Sequence, residues 1–221
     1  MRPKALIQGF VMPDAGSLED VVFDLGGVLV DWNPRHLFVN RMGLDADEVE
    51  HFLATVCTTQ WHLQLDAGLS FDVALTEVLE THPNFGPWIE AYRADWPGMF
   101  AGAHSETVEQ LNKLAEQGYR LHALTNYPAE QIRFLYDSYE FMASFDSVIV
   151  SGLHRLVKPE PEIYRRLLDT IGARTCLFID DREENVRAAE AHGIQTIHFT
   201  PEQGLNRLKA FVAGNEVAGK L

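Results

Sequence analysis

Short apolar runs that end in polar residues alternate with helical patterns along much of this 221-residue chain. Many of their residues are β-branched, and the runs cover residues 21–24, 121–125, 147–150, 176–180 and 194–199. Runs of this kind are typical of strands that are buried on both faces. Their alternation with helices predicts βαβ units in an α/β fold with a doubly wound parallel sheet. Ligands of such a sheet are expected outside the carboxyl ends of the strands.

Helical patterns fill several of the intervals between these runs. The predicted core helices cover residues 104–117, 159–168 and 183–192. The first has apolar residues at helical spacing, and the second has prolines in its first turn, where the missing N–H is tolerated. A glycine follows each of them at or near its end, which is a typical signal for helix termination.

One interval breaks the alternation, because helical patterns continue from residue 34 to about residue 99 without a convincing strand. A first helix is predicted to start at Asn33-Pro34 and a second to cover residues 47–55. The third covers residues 70–79 and has Ser70 as its N-cap. The interval therefore predicts an α-helical domain inserted after the first strand.

The insert divides the chain into a core and a cap. We predict a core formed by residues 17–33 and 100–221, a helical cap over residues 34–99, and an N-terminal extension over residues 1–16. The extension contains prolines and glycines, and it has neither the apolar region of a signal peptide nor the length of a membrane span.

The formal net charge of −14 limits the classes of partner. A surface this acidic repels nucleic acids and anionic membranes unless a basic patch overrides it, and the sequence has no such patch. Cys57 and Cys176 belong to no recognisable motif, which fits a reducing cytoplasm. We expect a cytoplasmic monomer or homodimer that acts on a small molecule.

Polar residues stand where the predicted strands end. They are Asp24, Thr125, Asp180 and Asp181, with Lys158 directly before a helix. Singly, each has an ordinary explanation as a helix cap, a turn residue or a surface charge. Together at one edge of a parallel sheet, carboxylates, a hydroxyl and an ammonium would form a site for a hard cation and a phosphoryl group.

At these positions the sequence resembles the haloacid dehalogenase superfamily. Residues 23–31 are similar to the first motif of the family, 124–126 to the second, 157–159 to the third and 178–185 to the fourth, in the family's order and spacing. The likeness extends over about residues 19–200. The helical insert lies where the family carries an α-helical (C1) cap, so the resemblance implies a Rossmannoid core with that cap.

The resemblance also implies a role for each matching residue. Asp24 would attack the electrophile and form a covalent aspartyl intermediate, with Lys158 and Thr125 as the other catalytic residues. The residues expected to bind phosphate are Leu25, Gly26, Thr125, Asn126 and Lys158, aided by the backbone amides of residues 25–27. The expected Mg²⁺ ligands are Asp24, the carbonyl of Gly26, and Asp181 with Asp180 in support. Asn185 matches a position that buttresses the fourth motif.

Gly26 departs from the family's usual pattern. Most phosphatases of the superfamily have a second Asp there, which protonates the leaving group and later activates water. Since such help is typically worth about 10²–10⁴-fold, a good leaving group is favoured. The first motif resembles that of a branch acting on α-glucose 1-phosphate, which makes a hexose 1-phosphate the first substrate to expect. Asp31 and His36 are candidate substitutes for the acid.

Dehalogenases of the superfamily also lack the second Asp, which makes 2-haloacid dehalogenation the main alternative. Halide leaves without a proton, so Asp24 would need only to attack carbon. A halide-binding cation would be required, and Arg35 or Arg41 could supply it. These enzymes need no Mg²⁺ and usually lack the adjacent acids, so Asp180 and Asp181 favour the phosphatase. A second alternative is a metabolite-binding module without turnover.

Specificity is expected from cap residues that face the crevice. The candidates carry aromatic or hydrogen-bonding side chains and are Trp61, His62, Asp66, Tyr92, Arg93 and Trp96. Large aromatic residues at helical spacing are more often core residues than ligand contacts, so for most of these positions packing is the default explanation.

Overall fold

A five-stranded parallel sheet lies at the centre of the computed structural model, which describes residues 18–172 and 176–214. The strands, in chain order, are β1 (Asp20–Phe23), β2 (Val30–Trp32), β3 (Phe100–Ala103), β4 (Arg120–Thr125), β5 (Ser147–Val150), β6 (Leu177–Asp180) and β7 (Gln195–His198). The sheet has the order β5-β4-β1-β6-β7, and β1 pairs in parallel with both β4 and β6. Chain order reverses at β1, so the carboxyl ends of β1, β4 and β6 border one crevice.

Helices cover both faces of this sheet. The α-helices are α1 (Ala46–Thr55), α2 (Thr59–Asp66), α3 (Phe71–Thr81), α4 (Gly86–Ala94), α5 (Ser105–Glu116), α6 (Ile132–Ser138), α7 (Ser151–His154), α8 (Pro161–Ile171), α9 (Glu183–Glu190) and α10 (Gln203–Val212). Val21 and Phe23 belong to one apolar cluster and Val22 to another, and all are fully buried. Because successive side chains of a strand point to opposite faces, β1 lies between two core layers. This arrangement confirms the predicted doubly wound fold.

A second, two-stranded antiparallel sheet stands at the base of the helical insert. It is formed by β2 and β3, and α1 to α4 lie between them in the chain. The sequence did not predict these strands, because they are three and four residues long and are not continuously apolar: β2 contains Asp31, and β3 reads Phe-Ala-Gly-Ala. The helical character of the insert is confirmed. The domain bounds stay a prediction, and residues 1–16 lie outside the described residues.

Side-chain caps lie at the starts of α1 and α3, and the sequence predicts the one at Ser70. Asp45 accepts hydrogen bonds from two backbone N–H groups at the start of α1, and Ser70 accepts one at the start of α3. The helix expected from Asn33-Pro34 instead begins at His36 and is a π-helix (His36–Arg41), in which the Met42 N–H donates to the carbonyl of Leu37. Helices α2, α4, α6, α7 and α10 were not predicted.

The described residues contain no helix that is long and apolar enough to cross a membrane. Both cysteines, Cys57 and Cys176, are buried free thiols.

Candidate active site

The polar residues predicted at the strand ends meet at the carboxyl edge of the sheet. Asp24 directly follows β1, Thr125 ends β4, and Asp180 ends β6. A cleft of about 740 Å³ opens between this edge and the cap. It is lined on the sheet side by Asp24, Leu25, Gly26, Gly27, Thr125, Asn126, Lys158, Asp181 and Arg182. The sequence prediction that these side chains share one crevice is therefore matched by the geometry.

Lys158 links two of the carboxylates. Its Nζ lies 2.9 Å from Asp24 Oδ1 and 2.7 Å from Asp180 Oδ2, and it donates to the carbonyl of Leu124 at 3.0 Å. The residue is 2% exposed. Since an ammonium has three donors and no acceptor, these contacts account for all of its hydrogen-bonding capacity. The charge of Lys158 is thus held beside Asp24 and cannot swing away.

Asn126 holds the backbone of Lys158. Its side-chain Nδ2 donates to the Lys158 carbonyl at 3.0 Å, and its Oδ1 accepts from the Lys158 N–H at 2.8 Å. The sequence analysis assigned Asn126 to the phosphate. Its amide instead serves the loop that carries Lys158, so the geometry supports a positioning role.

Asp180 is fully buried and its oxygens are already engaged. It accepts from Lys158 Nζ, from the Arg182 N–H at 2.9 Å and from Asn185 Nδ2 at 2.9 and 3.1 Å. These contacts fit the supporting role that was predicted for Asp180, and Asn185 buttresses it as expected. Asp181, in contrast, is exposed to the cleft.

The carboxylates form a cluster that suits a metal ion. One oxygen each of Asp24, Asp180 and Asp181 lies within 4.8 Å of the others. Carboxylate oxygens are the preferred ligands of Mg²⁺ and Ca²⁺. One ammonium, from Lys158, faces three acidic groups here, so a divalent cation would also correct an excess of negative charge. The residues present therefore fit the predicted Mg²⁺, with Asp24 and Asp181 as the open ligands.

Burial and the neighbouring carboxylates raise the pKa of both Asp24 and Asp181. Burial raises the pKa of Asp24 to about 8; Lys158 opposes this shift, whereas Asp180 and Asp181 add to it. Burial and Asp180 likewise raise the pKa of Asp181 to about 6. A bound cation favours the ionised carboxylates and would lower both values.

Gly27 is required by the close approach of Asp181, which the sequence analysis did not detect. Its φ is +73°, in the left-handed region, and a Cβ built there would lie 2.4 Å from Asp181 Oδ2. At Gly26, by contrast, a Cβ would have nothing within 4 Å. The two adjacent glycines differ, because only Gly27 is a steric necessity.

The cap contributes both apolar and polar side chains to the wall of the cleft. Of the six predicted cap candidates, His62, Asp66, Tyr92 and Trp96 line it. Further lining residues that the sequence analysis missed include apolar side chains and the polar residues Glu50, Thr59 and Gln60; the apolar ones include Trp32, Leu53, Ala54, Leu63, Phe100, Tyr127 and Leu135. Two candidates do not line it: Trp61 is buried and donates to the Ala74 carbonyl, and Arg93 pairs with Asp72 on the surface.

Residues proposed as substitutes for the missing acid do not reach the cleft. His36 Nε2 lies 3.0 Å from Asp31 Oδ1, and neither residue lines the cavity. The hypothesis that one of them replaces an acid at position 26 gains no support, because each is occupied by the other on the far side of β2.

A family model described as haloacid dehalogenase-like hydrolase matches residues 21–193. The chain therefore belongs to the haloacid dehalogenase-like hydrolases. The sesquiterpene phosphatase of Aspergillus oryzae is 28% identical over 188 residues, covering 81% of this chain and 88% of that protein.

Two solved structures show how widely this fold is shared. A HAD family enzyme from Bacteroides thetaiotaomicron, crystallised with magnesium and inorganic phosphate, superposes with a TM-score of 0.65 at 22% identity, covering 85% of this chain and 96% of that one. The L-2-haloacid dehalogenase of Xanthobacter autotrophicus gives a TM-score of 0.60 at 18% identity, covering 91% and 85%. The fold alone does not choose between phosphatase and dehalogenase.

Proposed function

We propose that this hydrolase is a Mg²⁺-dependent phosphomonoesterase in which Asp24 is the nucleophile. The observation that carries the proposal is the contact of Asp24 with Lys158 inside a cluster of three carboxylates. The A. oryzae relative is named a phosphatase, and the B. thetaiotaomicron structure contains magnesium and phosphate. Both names agree with the chemistry of the cluster.

The residues divide the reaction among them. A carboxylate oxygen of Asp24 attacks phosphorus, the bond from phosphorus to the leaving oxygen breaks, and an aspartyl-phosphate forms; water then attacks phosphorus and regenerates the carboxylate. Lys158 offsets negative charge on the nucleophile and the phosphoryl group, and Thr125 offers a hydroxyl donor. Mg²⁺, when bound by Asp24, Asp181 and the Gly26 carbonyl, supplies charge that reduces repulsion between carboxylate and phosphate.

Dehalogenation is disfavoured by the partners of the candidate halide-binding cations. Arg35 lines the cleft, but its guanidinium forms a bidentate ion pair with Glu50. Arg41 pairs with Asp95 at 2.9 Å and does not line the cleft. Since both guanidiniums are already paired, neither is available for halide without losing its carboxylate.

The substrate class remains part of the proposal. A hexose 1-phosphate is the first candidate, because its anomeric leaving oxygen is less basic than that of an ordinary alcohol and aromatic side chains can pack against a sugar. The apolar residues Trp32, Leu53, Leu63 and Leu135 among those that line the cleft favour a second candidate, the monophosphate of an apolar alcohol. We also propose that the enzyme acts in a reducing cytoplasm, which agrees with its two buried free thiols.

A panel assay tests the function. Phosphate release from glucose 1-phosphate and from a prenyl monophosphate, and halide release from 2-chloropropionate, are measured with Mg²⁺ and with EDTA. The proposal predicts Mg²⁺-dependent phosphate release that is abolished in Asp24→Asn. Mg²⁺-independent halide release would establish the dehalogenase instead, and Mg²⁺ binding with no turnover of any compound would establish a binding module.

A further inference from the structure

One carboxylate in the cleft has no cationic partner and no place in the metal cluster. Glu50 pairs with Arg35, and Glu184 pairs with Arg182 at 2.6 Å. Asp66, at the end of α2, also lines the cleft, and its side chain has no contact with a Lys or Arg in the described ion pairs. It is therefore the acidic cleft residue left over once the metal cluster and these pairs are assigned.

The surroundings of Asp66 leave one of its oxygens without a hydrogen bond. The residue is 5% exposed, and its Oδ1 has no hydrogen-bond partner among the described residues. His62 Nε2 lies 3.5 Å from Asp66 Oδ1, and His62 Nδ1 lies 2.9 Å from the Tyr92 hydroxyl. Burial lowers the pKa of His62 to about 4, so the ring is neutral at pH 7 and brings no charge to Asp66. A buried carboxylate in this state is costly unless a proton or a ligand meets it.

Asp66 is also fixed to the catalytic edge of the core. The carbonyl of Asp66 accepts from Ser151 Oγ at 2.6 Å, and Ser151 Oγ in turn accepts from the Tyr127 N–H at 2.9 Å. Tyr127 follows two residues after Thr125, at the end of β4. The end of α2 thus contacts, through Ser151, the loop that follows β4 and contains the end of the second motif. This contact joins the cap to the core beside the cleft.

The electrostatics of this position suit proton exchange near neutral pH. Burial raises the pKa of Asp66 to about 7, although the positive charges of Lys158 and Arg182 lower it. A group with a pKa near the working pH serves best as both acid and base. The titratable and charged groups that interact with Asp66 are His62, Tyr92, Tyr127, Lys158 and Arg182.

We propose that Asp66 exchanges the proton with the leaving-group oxygen, a task for which Gly26 has no side chain. The inference rests on the phosphomonoesterase function. When Asp24 attacks phosphorus and the ester bond breaks, the leaving oxygen takes the proton of the Asp66 carboxyl. When water attacks the aspartyl-phosphate, its proton returns to Asp66, so protons balance over one turnover. His62 and Tyr92 position the carboxyl.

A comparison of two esters tests the role of Asp66. Nitrophenolate leaves as a stable anion and needs no proton, whereas butoxide does. With Mg²⁺ present, Asp66→Asn is expected to lower kcat/KM for butyl phosphate by about 10²-fold or more and for para-nitrophenyl phosphate by less than about tenfold. The para-nitrophenyl rate also reports that the variant is folded. Asp72→Asn, a surface carboxylate of the cap paired with Arg93, is the matched control and should change neither rate.

A second variant, at position 26, is made both with Asp66 intact and in the Asp66→Asn background. Position 26 has open space for a side chain, so Gly26→Asp supplies an acid there. It is expected to raise butyl phosphate turnover by about 10²-fold in the Asp66→Asn background and by less than about tenfold in the wild-type background, where the acid already exists. A gain of about 10²-fold in the wild-type background would overturn the role of Asp66 even if Asp66→Asn does not fold.

The outcomes separate the two levels of the proposal. An equal loss on both esters in Asp66→Asn, no loss on either, or equal gains from Gly26→Asp in both backgrounds would overturn the role of Asp66 and leave the phosphatase standing. An equal loss confined to KM would make Asp66 a substrate-binding residue. No phosphate release by the wild-type protein from any ester would overturn the phosphatase and, with it, the inference.

Discussion

Lys158 shows how single residues in this site combine stability with chemistry. Its ammonium is buried between Asp24 and Asp180, and it is the group that keeps two neighbouring carboxylates from repelling each other. Desolvating such a triad is expensive, and its members compensate one another only while all are present. Lys158 therefore supplies positive charge to the nucleophile Asp24 and also stabilises the buried Asp180 at the end of β6.

Removing the ammonium should cost stability as well as activity. Lys158→Met is expected to lower the unfolding free energy by about 3–5 kcal/mol, because it leaves buried carboxylates without a counter-charge. Urea denaturation with EDTA present measures the loss. The double variant Lys158→Met/Asp24→Asn should lose less than the sum of the single changes. Strict additivity would show that the pair contributes no coupling.

The adjacent glycines provide a matched pair at the same scale. Gly27→Ala forces a side chain into the left-handed region and against Asp181, so it should destabilise the protein by more than about 1 kcal/mol and weaken Mg²⁺ binding. Gly26→Ala meets open space and should leave the melting temperature nearly unchanged. Thermal melts with and without Mg²⁺ compare them. Equal effects of the two changes would contradict the geometry.

At the scale of elements, α2 of the cap rests on α7 of the core. Ser151 is fully buried and connects the Asp66 carbonyl with the Tyr127 N–H. A Cβ at Gly152 would lie 2.6 Å from the Ala129 backbone nitrogen. The cap thus joins the core at this point through backbone contacts that small residues permit.

Loss of the Ser151 hydroxyl should weaken this contact between cap and core. Ser151→Ala leaves a buried N–H and a buried carbonyl unpaired, so a loss of about 1–3 kcal/mol in unfolding free energy is expected. Ser138→Ala, at an exposed position on α6, is the control and should stay within about 0.5 kcal/mol of the wild type. Urea denaturation distinguishes them. Equal unfolding free energies of the two variants would mean that the Ser151 hydroxyl does not stabilise the contact between cap and core.

The core elements could be predicted from the sequence, and the connections between cap and core could not. Strands such as β1 and β6 are continuous apolar runs because they are buried on both faces, and that pattern is visible in one dimension. The short β2 and β3 are strands because they pair with each other across the insert, and this long-range pairing leaves no pattern in either segment. Similarly, the sequence analysis assigned Asn126 to the phosphate. Its hydrogen bonds to Lys158 could not be predicted, because the two residues are distant in the chain.

At the scale of the whole molecule, the cleft joins two different environments. Its floor holds carboxylates and an ammonium, and its roof presents aromatic and aliphatic side chains among polar ones. The strand-end residues of the floor follow from the motifs. The roof does not, because aromatic residues of the cap pack equally well inward or toward a cleft, and only the folded chain shows which ones face it. Trp61 and Arg93 illustrate this limit, because both were candidates and neither lines the cleft, whereas the other four cap candidates do.

The raised pKa of Asp66 should appear in the pH dependence of global stability. A carboxyl whose pKa rises on folding stabilises the protein below its unfolded value of about 3.9, and this contribution is lost as pH rises through about 7. Asp66→Asn mimics the protonated form. In EDTA, the stability of Asp66→Asn relative to wild type should therefore increase between about pH 4 and pH 7. A pH-independent difference would contradict the raised pKa.

The central claim is that Asp24 carries the phosphoryl group during turnover. Acid quenching of the protein with Mg²⁺ and excess para-nitrophenyl phosphate, followed by borohydride reduction, converts an acyl phosphate into an alcohol, which tandem mass spectrometry locates in the peptide that contains residue 24. The account predicts homoserine at that position, and none when substrate is omitted. Unmodified Asp24 in a sample that releases nitrophenol in a burst, or reduction at another carboxylate, would contradict it.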